Sequence, residues 1–382
     1  MRVVVVGAGL GGVAAAVGLH RAGHDVLLCE RAAELRELGT AIAIPPNGLR
    51  ALDALGLSEH ARAHTLSAVT GGLRDWRGRP LLVTELERAR RTVGTLSVVS
   101  RAELHRSLRA PLPADRVRTA TWVRRLEPSG SGVSVIGDGG PVATADVVIV
   151  ADGIGSSLRG RMFPAHPGIR RTGRLDLRGM LPRPSGLDVT ELLAGILIDR
   201  RRGVSFGLFP VGENDLYWYT DSPLRGDPPG PAEARRALRD ATADWHPVVP
   251  ALIEATAPAD IHVDAVACLA EPLPSFAIGR IALLGDAAHA MVPDLGQGAS
   301  QAFEDAVSIT RHLTGAGPDD VEERLRRYDA ERRPRTSRLM LQASRQSWLT
   351  SRTGITAWLR DAALRAIPNR LASRQLASLW QV

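Results

Sequence analysis

Residues 279–306 read GRIALLGDAAHAMVPDLGQGASQAFEDA, and this stretch decides the fold. The pattern predicts a short buried strand, a turn at Gly285 and Asp286, a loop, and a helix that begins near Gly296. Asp286 would stand at a strand end, where its carboxylate reaches a polyol hydroxyl. Gly296 and Gly298 lack a Cβ, so their backbone admits a flat ligand, and free amides at the helix start favour negative charge on it. Taken alone, an ordinary strand–loop–helix connection explains the stretch equally well.

A second glycine-rich stretch, GAGLGG, occupies residues 7–12. A β-branched run precedes it, an alanine-rich helix follows, and the next strand ends in Glu30, eighteen positions after Gly12. Gly7 permits a tight turn, Gly9 lets a pyrophosphate approach the backbone, and Gly12 allows the helix to pack closely on the strand. Glu30 is placed to accept hydrogen bonds from an adenosine ribose. The context predicts a dinucleotide site without separating NAD from FAD.

The composition is that of an ordinary globular protein, with 44% hydrophobic and 23% charged residues among 382. That length accommodates two domains or one large composite domain. No lysine occurs, so all 48 basic residues are arginine, and the formal charge of +7 is spread along the chain. The densest arginine runs lack interleaved aromatics, which argues against nucleic-acid binding, while an anionic substrate stays open. Cys29 and Cys268 lie far apart and predict neither a metal site nor a disulfide framework.

Two features of the apolar segments bear on location. The N-terminal apolar run breaks at Gly7, which is too early for a signal peptide. No other apolar run approaches the length that spans a membrane. We therefore expect a cytoplasmic protein without a membrane partner.

The chain changes character between residues 168 and 276. Its segments alternate like strands and are separated by proline-rich turns, which predicts a largely antiparallel sheet. Tyr217 and Tyr219 would share one face of this sheet and Trp218 would take the other, because side chains alternate along a strand. We interpret the two tyrosines either as a pocket wall or as packing against a neighbouring helix. After residue 306 the pattern is helical nearly to the end, with breaks at glycine and proline.

Three motifs in this order resemble the single-component, FAD-dependent aromatic hydroxylases, which are the para-hydroxybenzoate hydroxylase-like (class A) flavoprotein monooxygenases. The motifs are GAGLGG with Glu30, the Asp152-Gly153 pair, and GDAAHAMVPDLGQG at residues 285–298. Shorter segments are similar to the salicylate-, 3-hydroxybenzoate- and urate-hydroxylase-like members: IPPNG at 44–48, SRAEL at 100–104 and RGM at 178–180.

The resemblance implies an α/β fold. It would combine a Rossmann-like, GR2-type FAD-binding domain with an inserted, mostly antiparallel β-sheet substrate domain and a C-terminal helical segment. We expect residues 1–167 and 277–330 to form the discontinuous FAD-binding domain. Residues 168–276 would form the substrate-binding sheet, and residues 331–382 the C-terminal helices.

The resemblance also implies the cofactor contacts. The pyrophosphate would be held by Gly7, Gly9, Gly11 and Gly12, and the adenosine end by Glu30 and Arg31. Arg101 would bind the diphosphate–ribityl region and Asp286 the ribityl chain, while backbone amides at the isoalloxazine would come from Gly296, Gly298 and Ala299. Asp152 lies in a motif that the family associates with both FAD and NAD(P)H. Further FAD contacts are expected at Leu10, Ala41 and Val123.

The implied activity is that of an FAD-dependent monooxygenase. It would use NADH or NADPH and O2 to hydroxylate an electron-rich aromatic or enolic small molecule, polyketide-like compounds included, through a flavin hydroperoxide. Pro293 would lie near the reacting centre and Tyr217 on the substrate side. His289, beside Asp286, is interpreted as a structural hydrogen-bonding residue. We expect a monomer or homodimer without a metal.

Two positions depart from the family pattern, and several alternatives stay open. Ser300 stands where the family usually has asparagine, which concerns the positioning of the flavin. Ser205 lies in the strand where urate-type members carry a substrate-binding arginine, which makes urate a poor candidate.

Three alternative functions stay open: an FAD-dependent epoxidase, a Baeyer–Villiger-type oxygenase and a non-catalytic FAD- or ligand-binding homologue. The usual flavin halogenase mechanism needs a catalytic lysine, and this chain contains none, so that mechanism is excluded. An NAD-dependent dehydrogenase would explain GAGLGG but leaves residues 285–298 unexplained.

Overall fold

The computed structural model of the chain describes residues 1–35, 40–66, 70–130 and 132–380. The strands, in chain order, are β1 (Arg2–Val6), β2 (Asp25–Cys29), β3 (Ala41–Ile44), β4 (Thr70–Asp75), β5 (Pro80–Glu85), β6 (Ser97–Ser100), β7 (Val117–Arg118), β8 (Val123–Ser129), β9 (Gly132–Gly137), β10 (Gly140–Ala145), β11 (Val147–Val150), β12 (Ile169–Pro182), β13 (Gly195–Asp199), β14 (Val204–Val211), β15 (Asp215–Pro223), β16 (Ile261–Leu269), β17 (Ala277–Ile278) and β18 (Ile281–Leu283). The helices are α1 (Leu10–Arg21), α2 (Pro46–Ala54), α3 (Glu59–Ala63), α4 (Leu86–Val93), α5 (Arg101–Arg109), α6 (Ser157–Met162), α7 (Pro231–Ala241), α8 (Val248–Ala255), α9 (Asp286–His289), α10 (Gly298–Leu313), α11 (Val321–Thr350), α12 (Gly354–Ala366) and α13 (Asn369–Trp380).

A six-stranded sheet in the order β17-β18-β11-β1-β2-β7 carries the dinucleotide fingerprint. All neighbouring strands in it are parallel except β17 and β18. The valines of β1 are buried, as expected for the central strand of a parallel sheet that is covered on both faces. Because parallel strands end at one edge, Gly7, Glu30, Asp152 and Asp286 come together there. The predicted α/β, Rossmann-like fold class is confirmed.

A second sheet of seven strands runs in the order β16-β12-β15-β14-β13-β4-β5, and all its pairs are antiparallel except β13 with β4. One face packs on α7 and α8 through a core that includes Phe206 and Trp218. Trp218 is fully buried and donates its indole N–H to Thr256 Oγ1 at 2.9 Å. Tyr217 and Tyr219 lie on the opposite face, as the alternation predicts.

The seven-stranded sheet takes two strands from an earlier part of the chain than the sequence indicates. β4 pairs in parallel with β13, from Gly72 opposite Gly195, and β5 pairs with β4. Gly71 and Gly72 weaken the local strand signal, and a pairing between segments so far apart leaves no local pattern. The domain boundaries stay a prediction, and we propose that the substrate-binding unit includes residues 70–85 as well as 168–276.

Helices α10 and α11 pack on the six-stranded sheet, and α11 also contacts β16 of the seven-stranded sheet through Ala343. The core of the six-stranded sheet takes Phe303 from α10 and Tyr328 from α11, and the tyrosine hydroxyl donates to Leu283 O at 2.9 Å. α12 and α13 follow breaks at Gly354, whose φ is 67°, and Pro368, and both contact β5. None of the helices within the described ranges has the length and apolarity needed to cross a membrane.

Candidate functional site

The loop between β1 and α1 forms a cradle at the sheet edge. A Cβ on Gly7, whose φ is 102°, would come within 2.4 Å of Ala151 O, and one on Gly12 within 2.0 Å of Gly7 O. A Cβ on Gly11 would meet Ala302 and Leu284 at 2.9 Å. Gly9 differs, because a Cβ there has nothing within 4 Å. The role of Gly7, Gly11 and Gly12 is therefore close packing, and Gly9 is the member that faces open space.

The same loop leads into the start of α1. Gly9 is the N-cap residue and Leu10 the first helical residue; no side chain caps the helix, and its first turn contains no acid. Its free amides and the helix dipole make this end a site for a phosphate group.

Glu30, at the end of β2, is held by the backbone on both sides. Its Oε2 accepts from Ala8 N at 2.8 Å and its Oε1 from Ala32 N at 2.9 Å. Each carboxylate oxygen has a second lone pair, so the group still accepts hydrogen bonds from a ligand. Arg31 is exposed and lies 5.9 Å from the Trp122 ring centroid.

Val123 and Arg101, two further residues predicted to contact the cofactor, differ in their environments. Val123 is buried at the start of β8, in the core that the six-stranded sheet shares. Arg101 opens α5, and its amide donates to Thr40 O at 3.3 Å. Ser100 caps that helix, since its Oγ accepts from Glu103 N at 3.4 Å.

Two acids lie at the ends of β11 and β18 with a buried arginine between them. Asp286 is exposed, whereas Asp152 is half-buried and its Oδ1 has no hydrogen-bond partner in the described chain. Burial raises the pKa of Asp152, although Ser156 and Arg159 oppose that shift. Arg159 donates to Ile154 O and Ala287 O, so it fixes both turns, and sequence reasoning missed it.

A second uncapped helix start faces the same edge. Pro293–Leu295 forms a 3₁₀ turn, and Gly296, with φ of 61°, turns the chain into α10. α10 has neither a side-chain cap nor an acid in its first turn, so the amides of Gly298 and Ala299 are available to an electron-rich ligand atom. A Cβ on Gly296 or Gly298 would have nothing within 4 Å.

A buried polar network lies behind this helix start. Asp305 accepts from Gly285 N, His289 Nε2 and Arg332 Nε at 3.0, 2.6 and 2.7 Å. His289 is fully buried, so its structural role is confirmed. Ser300 is also buried, and its Oγ has no partner among the described residues. The network fixes the turn that presents Asp286.

The face of the seven-stranded sheet that carries Tyr217 consists of cross-strand rows. In the first row, Tyr217 lies between Met180 on β12 and Phe209 on β14. These side chains pack against Ala41 of β3 and Val98 of β6, not against a helix. The structure therefore places Ala41 beside Tyr217. Burial raises the pKa of Tyr217 to about 12, so its hydroxyl is a hydrogen-bond donor and not a base.

The second row contains Gly207, Tyr219, Arg178 and His262. The Tyr219 ring lies where a Cβ of Gly207 would be, within 2.3 Å of that position. Arg178 donates to Asp264, while its Nε has no partner among the described residues. An aromatic surface and a guanidinium are thus adjacent on the sheet.

The third row contains Ser205, Asp221, Asp176 and Asp264. Asp221 is paired with Arg174 at 2.6 Å. Asp294, from the Pro293–Leu295 turn, faces this row, and burial together with the charge of Asp221 raises its pKa to about 6. In the described chain, this part of the face therefore brings four aspartates together with two arginines.

Asp176 and Asp294 were missed by sequence reasoning. For Asp176 a signal existed, because RLDLRGM at residues 174–180 alternates charged and apolar side chains, which puts the charged ones on one face. Asp294 lies in a turn, where no periodicity reports the direction of a side chain.

These features fit an extended dinucleotide. Gly9, Gly296 and Gly298 leave room for a ligand, two helix starts offer free amides, and Asp152 has an unpaired oxygen. Glu30 and Asp286 stand three strand spacings apart on one sheet edge, which is about 14 Å. No group of His, Cys, Asp and Glu side chains placed to hold a metal ion occurs in the described part of the chain.

Comparison with known proteins gives consistent matches. A family model described as FAD binding domain matches residues 1–343. The FAD-dependent urate hydroxylase of Klebsiella pneumoniae subsp. pneumoniae is 32% identical over 357 residues, which cover 92% of this chain and 90% of the relative. The 6-hydroxynicotinate 3-monooxygenase of Bordetella bronchiseptica is 32% identical over 364 residues, covering 91% and 92%. The crystal structure of Klebsiella pneumoniae HpxO complexed with FAD and uric acid has a TM-score of 0.90 and 28% identity, covering 100% of this chain and 96% of that chain.

Proposed function

The chain belongs to the FAD-dependent aromatic hydroxylases, the class A flavoprotein monooxygenases, and from that premise we propose that it hydroxylates an uncharged aromatic or heteroaromatic ring that bears a hydroxyl group. It is an NAD(P)H-dependent flavoprotein monooxygenase whose cofactor is FAD. O2 is the proposed source of the inserted oxygen atom. The observation that carries the substrate class is the pairing of an aromatic wall, Tyr217 and Tyr219, with an aspartate-rich row beside it.

On the cofactor side, we propose that the start of α1 at Gly9 and Leu10 binds the diphosphate, with Gly7, Gly11 and Gly12 shaping the loop. Glu30, Arg31 and Val123 would hold the adenosine end, and Arg101, Asp152 and Asp286 the central and ribityl portions. Gly296, Gly298 and Ala299 would hold the isoalloxazine, with Pro293 against the reacting centre. The FAD held by these residues would supply the redox chemistry by which two electrons from NAD(P)H and one O2 give one oxygen atom in the substrate and one molecule of water.

On the substrate side, the balance of charge selects against an anion. Arg174 is occupied by Asp221, and Arg178 donates to Asp264, so the carboxylates of Asp176 and Asp294 are left without a dedicated cation. A substrate carboxylate next to either one would be repelled, by about 1 kcal/mol in a wet site and more in a dry one. A phenol or hydroxypyridine instead donates a hydrogen bond to them.

Urate is the substrate named for one relative, and the sheet argues against it here. Ser205 lies opposite Asp221 in the third row, at the strand where urate-type members are expected to carry an arginine. The polar atoms at this position therefore belong to a serine and an aspartate. A neutral substrate that donates hydrogen bonds suits them better than an anion.

Two pairs of compounds that differ by one carboxylate test the proposal. The FAD-loaded enzyme is assayed at about pH 8 with NADH and with NADPH, using phenol against salicylate and 2-hydroxypyridine against 6-hydroxynicotinate. We expect the uncharged member of each pair to have the higher kcat/KM for NAD(P)H oxidation, by about tenfold, which corresponds to about 1.4 kcal/mol. The product should gain the mass of one oxygen atom.

Asp264→Asn removes the negative charge of the exposed member of the third row. This variant should therefore have a smaller ratio of kcat/KM between the uncharged and the carboxylated compound of each pair. A carboxylated compound that is preferred over its uncharged partner would contradict the charge argument. The proposal includes a cytoplasmic location, where NAD(P)H is generated, and a monomer or homodimer as the active form.

A further inference from the structure

Asp176 is a buried carboxylate that the proposed function has not yet used. It lies on β12, is 8% exposed, and its Oδ1 has no hydrogen-bond partner among the described residues. Its side chain shares the face that carries Tyr217, two positions from Arg178. A buried polar atom without a partner is unfavourable, so the Oδ1 of Asp176 points to a ligand that supplies the missing hydrogen.

The neighbouring cations are committed to other carboxylates. Arg174 bonds Asp221 through both Nε and Nη2, and Arg178 donates to Asp264. In the described part of the chain, neither guanidinium donates a hydrogen bond to Asp176, although the charge of Arg178 opposes the rise of its pKa. Asp176 is therefore near positive charge without being locked in an ion pair.

The protonation state of Asp176 is poised near neutrality. Burial raises its pKa to about 7, against the opposing charge of Arg178, and the charges of Asp221, Asp264 and Asp294 add to the increase. A carboxyl group with a pKa close to the working pH accepts and returns a proton readily. Tyr217 cannot take this role, since burial raises its pKa to about 12.

We propose that Asp176 is the proton acceptor for the ring hydroxyl of the substrate, an inference that rests on the proposed function. The substrate O–H bond breaks, the proton bonds to Asp176 Oδ1, and the electron pair stays on the ring oxygen. The negative charge thus moves from Asp176 to the substrate and remains beside Arg178. The resulting phenolate is more electron-rich at its ring carbons, which is what oxygen insertion requires. After turnover the proton returns to solvent.

The charged and titratable groups that face Asp176 come from four elements. They are Arg174 and Arg178 on β12, Tyr217, Tyr219 and Asp221 on β15, His262 and Asp264 on β16, and Asp294 in the Pro293–Leu295 turn. Asp264 has an exposed side chain, so its substitution changes the local charge without opening the core.

The test compares kcat/KM against pH for phenol in the wild type, Asp176→Asn and Asp264→Asn. In the wild type, kcat/KM should fall as the pH decreases through about 7, where Asp176 becomes protonated, and this fall is the acidic limb of the profile. In Asp176→Asn that limb should disappear, and kcat/KM should rise about tenfold per pH unit toward the pKa of phenol itself, because only pre-ionised phenol then reacts. FAD content should be unchanged. A structural role alone would lower kcat/KM by one factor at every pH.

Asp264→Asn provides a readout that does not depend on the folding of Asp176→Asn. Removing the negative charge of Asp264 should lower the pKa of Asp176, so the limb should move to lower pH. A limb that stays in place in Asp264→Asn, or that survives in Asp176→Asn, overturns the assignment. If neither phenol nor 2-hydroxypyridine stimulates NAD(P)H oxidation in the wild type, the proposed function itself fails.

Discussion

Gly9 and Gly12 belong to one motif, yet a side chain would have opposite consequences at the two positions. A methyl group on Gly12 would strike Gly7 O, while the same group on Gly9 has no atom of the described residues within 4 Å. The backbone of Gly9 has φ of −67°, which alanine adopts without strain. Gly12 therefore serves folding, and Gly9 is available to a ligand.

We expect Gly12→Ala to lower the free energy of unfolding of the FAD-free protein by about 2–3 kcal/mol, the cost of forcing atoms into a packed site. Gly9→Ala should leave that free energy unchanged and weaken FAD binding by about tenfold or more. Denaturant titration of the FAD-free variants and fluorescence titration with FAD measure the two effects. Equal losses of stability in both variants would contradict the division of roles.

At the level of single residues, the sequence specified the fingerprint but not the use of each glycine. Gly7, Gly9 and Gly12 follow a known spacing, whereas the packing of Gly11 against Ala302 depends on a helix almost 300 residues later. Asp294 was missed for a related reason. Its environment is created by the sheet that faces it, which no local pattern contains.

At the scale of elements, α10 and α11 are joined by buried charges. Arg332 bonds Asp305, Glu304 and Gln301 of α10. Arg332→Met should lower the free energy of unfolding by about 3–5 kcal/mol, because it removes the cation that two buried carboxylates share. Arg327→Met is the matched control, since that exposed arginine pairs only with Glu323 in the described structure and should cost less than about 1 kcal/mol. Chemical denaturation with and without FAD measures both.

The contact between Arg332 and Asp305 also predicts how the free energy of unfolding depends on pH. Burial would raise the pKa of Asp305, but the charges and hydrogen bonds of His289 and Arg332 hold it down to about 2. In the unfolded chain the value is about 3.9, so the stabilisation is complete above about pH 4 and is lost as the pH falls toward 2. The free energy of unfolding of the wild type should therefore drop more steeply over that interval than that of Asp305→Asn. If the free energies of unfolding of the wild type and Asp305→Asn fall in parallel with pH, the low pKa of Asp305 does not contribute to stability as predicted.

Elements with a strong local pattern were predictable. The strand before GDAAHA and the opposite faces of Tyr217 and Trp218 both follow from the periodicity of the side chains. The tyrosine environment was not, because β3 and β6 cover that face through a tertiary contact. Alternation tells which side chains share a face, but it does not tell what lies opposite.

At the scale of the whole molecule, four strand ends create one site from four separate segments. Because a bound ligand stabilises only the folded state, FAD should raise the melting temperature of the wild type in a concentration-dependent way. In Asp286→Ala this increase should shrink and the purified protein should retain less flavin. Asp319→Ala, which removes an exposed acid away from the site, is the control. Unchanged flavin content in Asp286→Ala would remove that residue from the proposed ribityl contact.

The overall fold class was readable because its motifs occur in a fixed order along the chain. The composition of the second sheet was not, since β4 and β5 lie within the range assigned to the other domain. Gly71 and Gly72 gave no strand signal, and the parallel partner of β4 is β13. The sequence therefore predicted that a parallel sheet and an antiparallel sheet exist, but long-range pairing determined which strands belong to the second one.

The pairing of β4 with β13 also sets an order of events during synthesis. As the ribosome releases the chain, β4 and β5 emerge first and form a hairpin in which the outer edge of β4 lacks its partner strand. Nothing can complete that edge until β13 has been translated, so the nascent hairpin stays exposed throughout the interval. Newly made chains should consequently bind chaperones between these two points, and slowing translation just before residue 195 should increase their aggregation.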